Sequence, residues 1–454
     1  MSDTVVAPAP VSTRRERVGW YFYDWANSAF STTVIAVFLS PYLTEIAKAA
    51  TGCATDEACG AARLYPLGVP VSPLSFYSYV LSLSVLLQVV VLPVVGAFTD
   101  RTRHRKKLLA LFAYVGALST IGFFFVTGSN YLLGGALFLI ANVAFGASVV
   151  VYNSYLPALG GPDERDRISS IGWAMGYLGG GLLLVINLAA YVFAPEGLTG
   201  LIVRISLASA GVWWAVFSTL PLVMLKDPEP HQIVRASGSA FSGGFRQLGQ
   251  TLRELRSYPL TLLFLIAFLI YNDGVQTVIG VSSQYASDYL KLSDETRIIT
   301  ILLVQFTAFG GALLLGRIAR VFGAWKTVLA SLVLWTGVVG AAYFLPVGQS
   351  GPFLVLGMLL GIVLGGTQAL SRSLFSQMIP QGKEGEYFSF YEISDKGTSW
   401  LGPLVFGISL QATGQYQIAI VSVVSFFVLG FVALLFIPVR RAIIAAGNTP
   451  PRVL

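Results

Sequence analysis

The chain has 454 residues, of which 55% are hydrophobic and only 11% charged, with a formal net charge of +7. A soluble domain carries about a quarter charged residues. The composition therefore argues against a soluble enzyme, a nucleic-acid binder and a disordered scaffold.

The charges come in short clusters, separated by apolar runs of about 20 residues, the length that crosses a bilayer as a helix. In chain order the runs cover 19–48, 73–98, 108–128, 131–157, 169–194 and 201–225, then 258–286, 297–316, 327–346, 351–378, 388–413 and 416–438. Helices are expected because backbone groups in lipid must bond within their own segment. Stretches such as Leu81–Val95 lack the alternation of a membrane barrel strand. The pattern predicts an all-α membrane protein of twelve transmembrane helices in two sets of six.

The segments around these runs divide the chain. Residues 1–17 form a polar N-terminal tail without the apolar core of a cleavable signal peptide. Residues 18–225 make one six-helix bundle and 258–438 the other, joined by a linker, 226–257, with a surface helix at Phe245–Arg256. Residues 439–454 read as a short disordered tail.

Lys and Arg fall mainly on one side of these spans. Arg14, Arg15 and Arg17, then Arg101, Arg103, Arg105, Lys106 and Lys107, then Arg165 and Arg167 share it with Arg317, Arg320, Lys326, Arg440 and Arg441. That side is expected to be cytoplasmic, with both termini inside. Cys53 and Cys59 fall in the first external loop, either as free thiols or as a pair. His104 and His231 lie in loops on the basic side, so no metal site and no cofactor is expected.

Two sets of six suggest duplication. Thr33-Val-Ile-Ala-Val37 in the first span reappears as Thr277-Val-Ile-Gly-Val281 in the seventh. Gly96-Ala-Phe-Thr-Asp100-Arg101 ends the second span and Gly316-Arg-Ile-Ala-Arg320 the eighth.

The stretch Gly96–Lys107 resembles the helix 2–3 signature of the major facilitator superfamily, with Arg103 in place of the usual second glycine. Gly96 permits close helix approach. Asp100 can meet the positive N-terminal end of a helix from the other half, and its neighbour Arg101. Trp20-Tyr-Phe-Tyr-Asp24-Trp25-Ala-Asn27, Tyr152-Asn153-Ser154-Tyr155-Leu156-Pro157, Gly366-Thr-Gln368 through Ser371-Arg372-Ser373 and Gly397–Pro403 narrow this. Over about 18–438 the chain resembles the vacuole-effluxer branch, named for a fungal vacuolar amino-acid exporter and containing many bacterial members. The resemblance implies a transporter with two pseudo-symmetric six-helix bundles around a central cavity. In a bacterial member it implies the inner membrane.

Ionisable groups at bilayer depth commonly mark transport paths. Asp273 stands about thirteen residues into the seventh span, roughly 20 Å deep at 1.5 Å per residue. With Asn272 and Gln276 it is the first candidate for a substrate or proton site. Asp24, with Tyr23 and Asn27, is a shallower candidate for a substrate contact or the inner gate. Asn153, Asn187, Gln305 and Gln368 are candidate cavity residues. The expected cytoplasmic gate comprises Gly96, Asp100, Arg101, Arg105, Arg372, Glu392, Asp395 and Lys396. Arg372 either snorkels to the surface or pairs with Asp24 or Glu392. Trp20 reads as an interfacial anchor.

No catalytic cluster and no phosphate loop is visible, so a non-enzyme driven by a gradient is expected. The favoured function is alternating-access efflux of a small polar solute such as an amino acid, with protons as a candidate coupling ion. The expected partners are the bilayer and that solute, with no nucleic acid, and the expected state is a monomer. The competing reading is a receptor that binds on the same fold and transports nothing.

Overall fold

The computed structural model describes residues 12–53, 55–228, 253, 256–396 and 401–454. The surface helix expected at Phe245–Arg256 lies almost wholly outside these residues, as do most of the N-terminal tail and Gly397–Trp400.

The described residues are helical apart from loops and a single two-residue bridge, Leu64 to Val71. Among the described residues, eleven helices are long and apolar enough to cross a membrane. They are α1 (Arg14–Thr51), α2 (Pro73–Arg101), α3 (Arg105–Phe125), α4 (Tyr131–Leu159), α5 (Arg165–Val192) and α6 (Thr199–Met224), followed by α7 (Pro259–Tyr289), α8 (Glu295–Phe322), α9 (Ala324–Phe344), α10 (Ser350–Gln377) and, last, α13 (Tyr416–Leu435). The eleventh span falls in two pieces, α11 (Glu384–Lys396) and α12 (Leu401–Thr413). The spans fall in two sets of six, α1–α6 and α7–α13, with α11 and α12 together making one span.

Local chemistry sets several ends. Thr13 and Glu16 form a reciprocal capping box at the start of α1. Asp227, just past α6, accepts the Lys106 amide at 2.7 Å and so caps α3, while the Tyr155 hydroxyl donates to the same oxygen at 2.9 Å. Within α1, residues Phe30–Phe38 are wound as a π-helix, and Tyr285–Tyr289 close α7 the same way. Such wide turns are rare and frequent at functional sites.

Two expectations are corrected. The C-terminal tail is ordered: a helix over Val439–Ala445 leads to Asn448, whose side chain donates to the Gln377 and Ile379 carbonyls at 2.9 and 2.7 Å. Arg452 then reaches Asp163 in the other half, its amide 2.7 Å from the carboxylate. Fixed hydrogen bonds to two otherwise open backbone carbonyls hold what composition alone left free. Trp20 is no interfacial anchor. It is fully buried, stacked on Tyr152 with ring centres 4.4 Å apart, and its indole donates to the Tyr152 carbonyl.

The cysteines are joined: Cys53 and Cys59 form a disulfide in the loop between α1 and α2.

Candidate functional site

The two halves meet in a seam at the basic end, and Asp100 lies at its first contact. Its carboxylate accepts the Gly385 amide at 2.7 Å and the Glu386 amide at 2.9 Å, both in the first turn of α11. Helix N-termini present unpaired N–H groups and a positive partial charge, so a carboxylate is favoured there. Arg105 bridges Asp100 and Glu384, with its Nη2 3.5 Å from a carboxylate oxygen of each. Arg101, expected beside Asp100, is instead exposed and outside this cluster. A step of one residue along the chain turns it to the far side of α2, and Arg105 on α3 takes the place. Gly96 allows the approach: a methyl group there would stand 2.4 Å from the Gly385 carbonyl oxygen.

A second contact joins α5 to α10. Ser373 donates to Asp166 at 2.5 Å, Arg165 to the Ser376 carbonyl at 3.0 Å and Ser169 to the Ala369 carbonyl at 2.7 Å. Arg320, standing at the Asp position of the second signature copy, is exposed.

A buried polar layer lies beneath both contacts. Of the two partners considered for Arg372, Asp24 is the one it meets, with Nη1 and Nη2 each 3.1 Å from Oδ2. Arg372 is 2% exposed, so it does not snorkel. Asn153 donates to Glu392 across the seam at 2.9 Å. Lys396 stands 3.5 Å from Glu392 on the same helix face and over the Phe145 ring of the other half. Asp395 accepts from Asn272 at 3.0 Å, and Asn272 in turn accepts from Gln368 at 2.7 Å.

Above this layer a central cavity of about 1280 Å³ opens between the halves. Asp24, Asn153, Gln368, Arg372, Glu392, Asp395 and Lys396 form its floor, and Asn27, Gln276 and Gln305 its walls. Toward the end away from the basic seam its wall includes Gly280 and Ser283, both exposed. The cavity is thus closed at the basic end and open at the other.

Four candidates lie outside the lining. Tyr23 is buried against Tyr152, their ring centres 5.0 Å apart. Asn187 donates to the Ser206 carbonyl and to Ser209, tying α5 to α6 within one half. Asn272 reaches the cavity only through Gln368 and Asp395. Asp273 turns toward α12: its Oδ2 accepts the Gly402 amide at 2.7 Å, and its buried Oδ1 has no hydrogen-bond partner among the described residues. Trp173, Tyr177, Asn142 and Arg297 line the cavity and were not singled out from the sequence. A polar or aromatic residue once per turn inside an apolar run carries no signal of which face it occupies.

A family model described as vacuole effluxer Atg22 like matches residues 12–447. An uncharacterized MFS-type transporter, YxiO, of Bacillus subtilis is 28% identical over 431 residues, covering 94% of this chain and 95% of its own. Autophagy-related protein 22 of Yarrowia lipolytica is 30% identical over 431 residues, covering 76% of this chain and 72% of its own. Among solved structures the chain is similar to the proton:xylose symporter XylE, with TM-score 0.67, 14% identity and coverage of 93% and 94%. It is also similar to the transporter FucP in its outward conformation, with TM-score 0.66, 14% identity and coverage of 93% and 98%.

Proposed function

The chain belongs to the Atg22-like vacuole effluxer family and is a secondary transporter of the major facilitator superfamily, and we propose that it exports a small zwitterionic solute of the amino-acid class by alternating access. One observation carries this reading. The cavity lining holds three acidic side chains, Asp24, Glu392 and Asp395, and three basic ones, Arg297, Arg372 and Lys396. A largely apolar cavity that carries matched charges of both signs suits a small solute that itself holds both signs beside an apolar part, and suits a polyanion poorly.

The basic end is the cytoplasmic one, by the bias of Lys and Arg in its loops. Both termini then lie on the cytoplasmic side of a bacterial inner membrane, the cavity is outward-open, and the protein works as a monomer. Protons are the coupling ion. Glu392 is the residue we assign to them, because it faces the cavity, holds Asn153 of the opposite half and must lose that partner when the seam opens. Asp273, the first candidate by depth alone, serves to hold α12 through Gly402.

The test is counterflow in proteoliposomes preloaded with amino acids, read as uptake of labelled amino acid from outside. Saturable counterflow of at least one neutral amino acid, lost on Arg372→Ala, is expected. No counterflow with any amino acid, in protein that still melts cooperatively, would overturn the reading.

A further inference from the structure

Arg372 rises from α10 in the C-terminal half, yet every hydrogen bond its guanidinium makes among the described residues runs to the N-terminal half. Nη1 and Nη2 donate to Asp24, Nε to the Ser169 hydroxyl at 3.0 Å, Nη2 to the Ser169 carbonyl at 3.0 Å, and Nη1 to Asn153 at 3.4 Å. Three ring faces surround the same charge, with Cζ 4.8 Å from the Trp20 ring centre, 5.3 Å from Trp173 and 5.6 Å from Tyr152. All three aromatics belong to α1, α4 and α5.

The box is built without Arg372. Trp20 and Tyr152 stack on each other, the Tyr152 hydroxyl donates to Asp24 at 2.7 Å, and the Trp20 indole is bonded to the Tyr152 carbonyl. Gly172 leaves the remaining wall bare: a methyl group there would stand 3.0 Å from Arg372 Nη2 and 2.8 Å from Asp24 Oδ2. Asp24, Trp173 and Arg372 all line the cavity, so the box is continuous with the space the solute occupies.

We propose that these N-terminal-half residues form an organic-cation site, which Arg372 fills here as a tethered ligand and which the ammonium or guanidinium group of the solute fills when α10 withdraws. A carboxylate flanked by aromatic faces attracts a weakly hydrated organic cation and discriminates against a small, strongly hydrated metal ion. When the seam parts, Arg372 leaves with its own half, and Asp24 is left between the aromatic faces without its partner, which favours a replacement organic cation. When the seam closes, Arg372 returns and displaces the solute into the cavity, whose open end is the opposite one. The ion pair is then both a gate and a means of expulsion. This inference rests on the export reading above and adds the chemical group recognised.

The test is binding, read without flux, so that its failure and a failure of the export reading are separable. Arg372→Ala empties the site. Purified variant and parent are titrated with methylguanidinium at millimolar concentration, with neutral methylurea and sodium as controls, following Trp fluorescence and melting temperature. Methylguanidinium is expected to bind the variant at least about tenfold tighter than the parent. That gain should vanish in Arg372→Ala/Asp24→Asn, and neither control should reproduce it. Equal binding to variant and parent, or binding that survives the loss of the Asp24 charge, overturns the proposal.

A second measurement covers the case in which Arg372→Ala does not fold. In the otherwise wild-type chain carrying Ser376→Cys, a position buried at the seam, methylguanidinium should raise thiol labelling about threefold or more by competing with Arg372. The native cysteines are paired, so this thiol is the reactive one. Labelling that methylguanidinium leaves unchanged, or that methylurea raises equally, likewise overturns the proposal.

Discussion

The Asp100 carboxylate accepts the Gly385 amide at 2.7 Å across 285 residues of sequence, joining the last turn of α2 to the first turn of α11. Two backbone amides depend on this one side chain. Hydrogen bonds to a charged group contribute about 1.5–3 kcal/mol each. Asp100→Ala should therefore move the balance between closed and open seam by a factor of about ten or more. Thiol labelling of a Ser376→Cys reporter should rise accordingly, and unchanged labelling would show that other contacts hold the seam.

Two glycines separate a state-specific effect from a folding effect. A methyl group at Gly96 collides with the Gly385 carbonyl of the other half, so Gly96→Ala blocks closure of the seam while leaving each half intact. Turnover should fall about tenfold or more with little change in melting temperature. A methyl group at Gly311 would stand 2.1 Å from the Ile362 carbonyl oxygen, inside the C-terminal half. Gly311→Ala should cost about 1–3 kcal/mol in every state. A loss of melting temperature for Gly96→Ala as large as for Gly311→Ala would defeat the distinction.

Asp273 and Glu392 divide the question of coupling. Asp273→Asn keeps an oxygen that can accept the Gly402 amide, so flux and its dependence on an imposed pH gradient should persist. Asp273→Ala, which leaves that buried amide unpaired, should lower stability by about 1–3 kcal/mol. Glu392→Gln keeps the Asn153 contact but cannot release a proton; counterflow should survive and gradient-driven flux should be lost. Gradient-driven flux lost in Asp273→Asn and retained in Glu392→Gln would return the role to Asp273.

Most of the fold was legible, because twenty-residue apolar runs have one solution in lipid. The eleventh span was the hardest. Its first piece carries Glu384, Glu386, Glu392, Asp395 and Lys396, so hydropathy weakens where the seam needs charge. Depth was legible and direction was not. Counting residues placed Asp273 near the midplane, but only the position of α12 decides that it faces Gly402 and not the cavity. Asp24 and Glu392 were both within reach of Arg372 on paper. The relative register of α1, α10 and α11, which is a tertiary property, selects Asp24. Trp20 read as an anchor because its burial depends on Tyr152, 132 residues away.

The disulfide reports orientation. With Cys53 bonded to Cys59, an impermeant maleimide should label intact cells only after reduction, and from the outside. Cys59→Ser should free the part-exposed Cys53 to the same reagent and cost about 2 kcal/mol through the opened loop. Labelling confined to inverted vesicles would reverse the assigned topology.

The π-helical stretch Phe30–Phe38 means that α1 holds more residues than an α-helix of the same height would need. In an α-helix each residue accounts for about 100° of turn, so deleting one normally swings everything beyond it onto the wrong face. Here the surplus is already present. Removal of Ser31 should let the segment rewind toward α geometry and leave both ends of α1 in place, whereas removal of a residue from Tyr21–Trp25 should not be absorbed. Tolerance to a one-residue gap, assayed as surviving membrane expression, becomes a property of this single stretch of the helix.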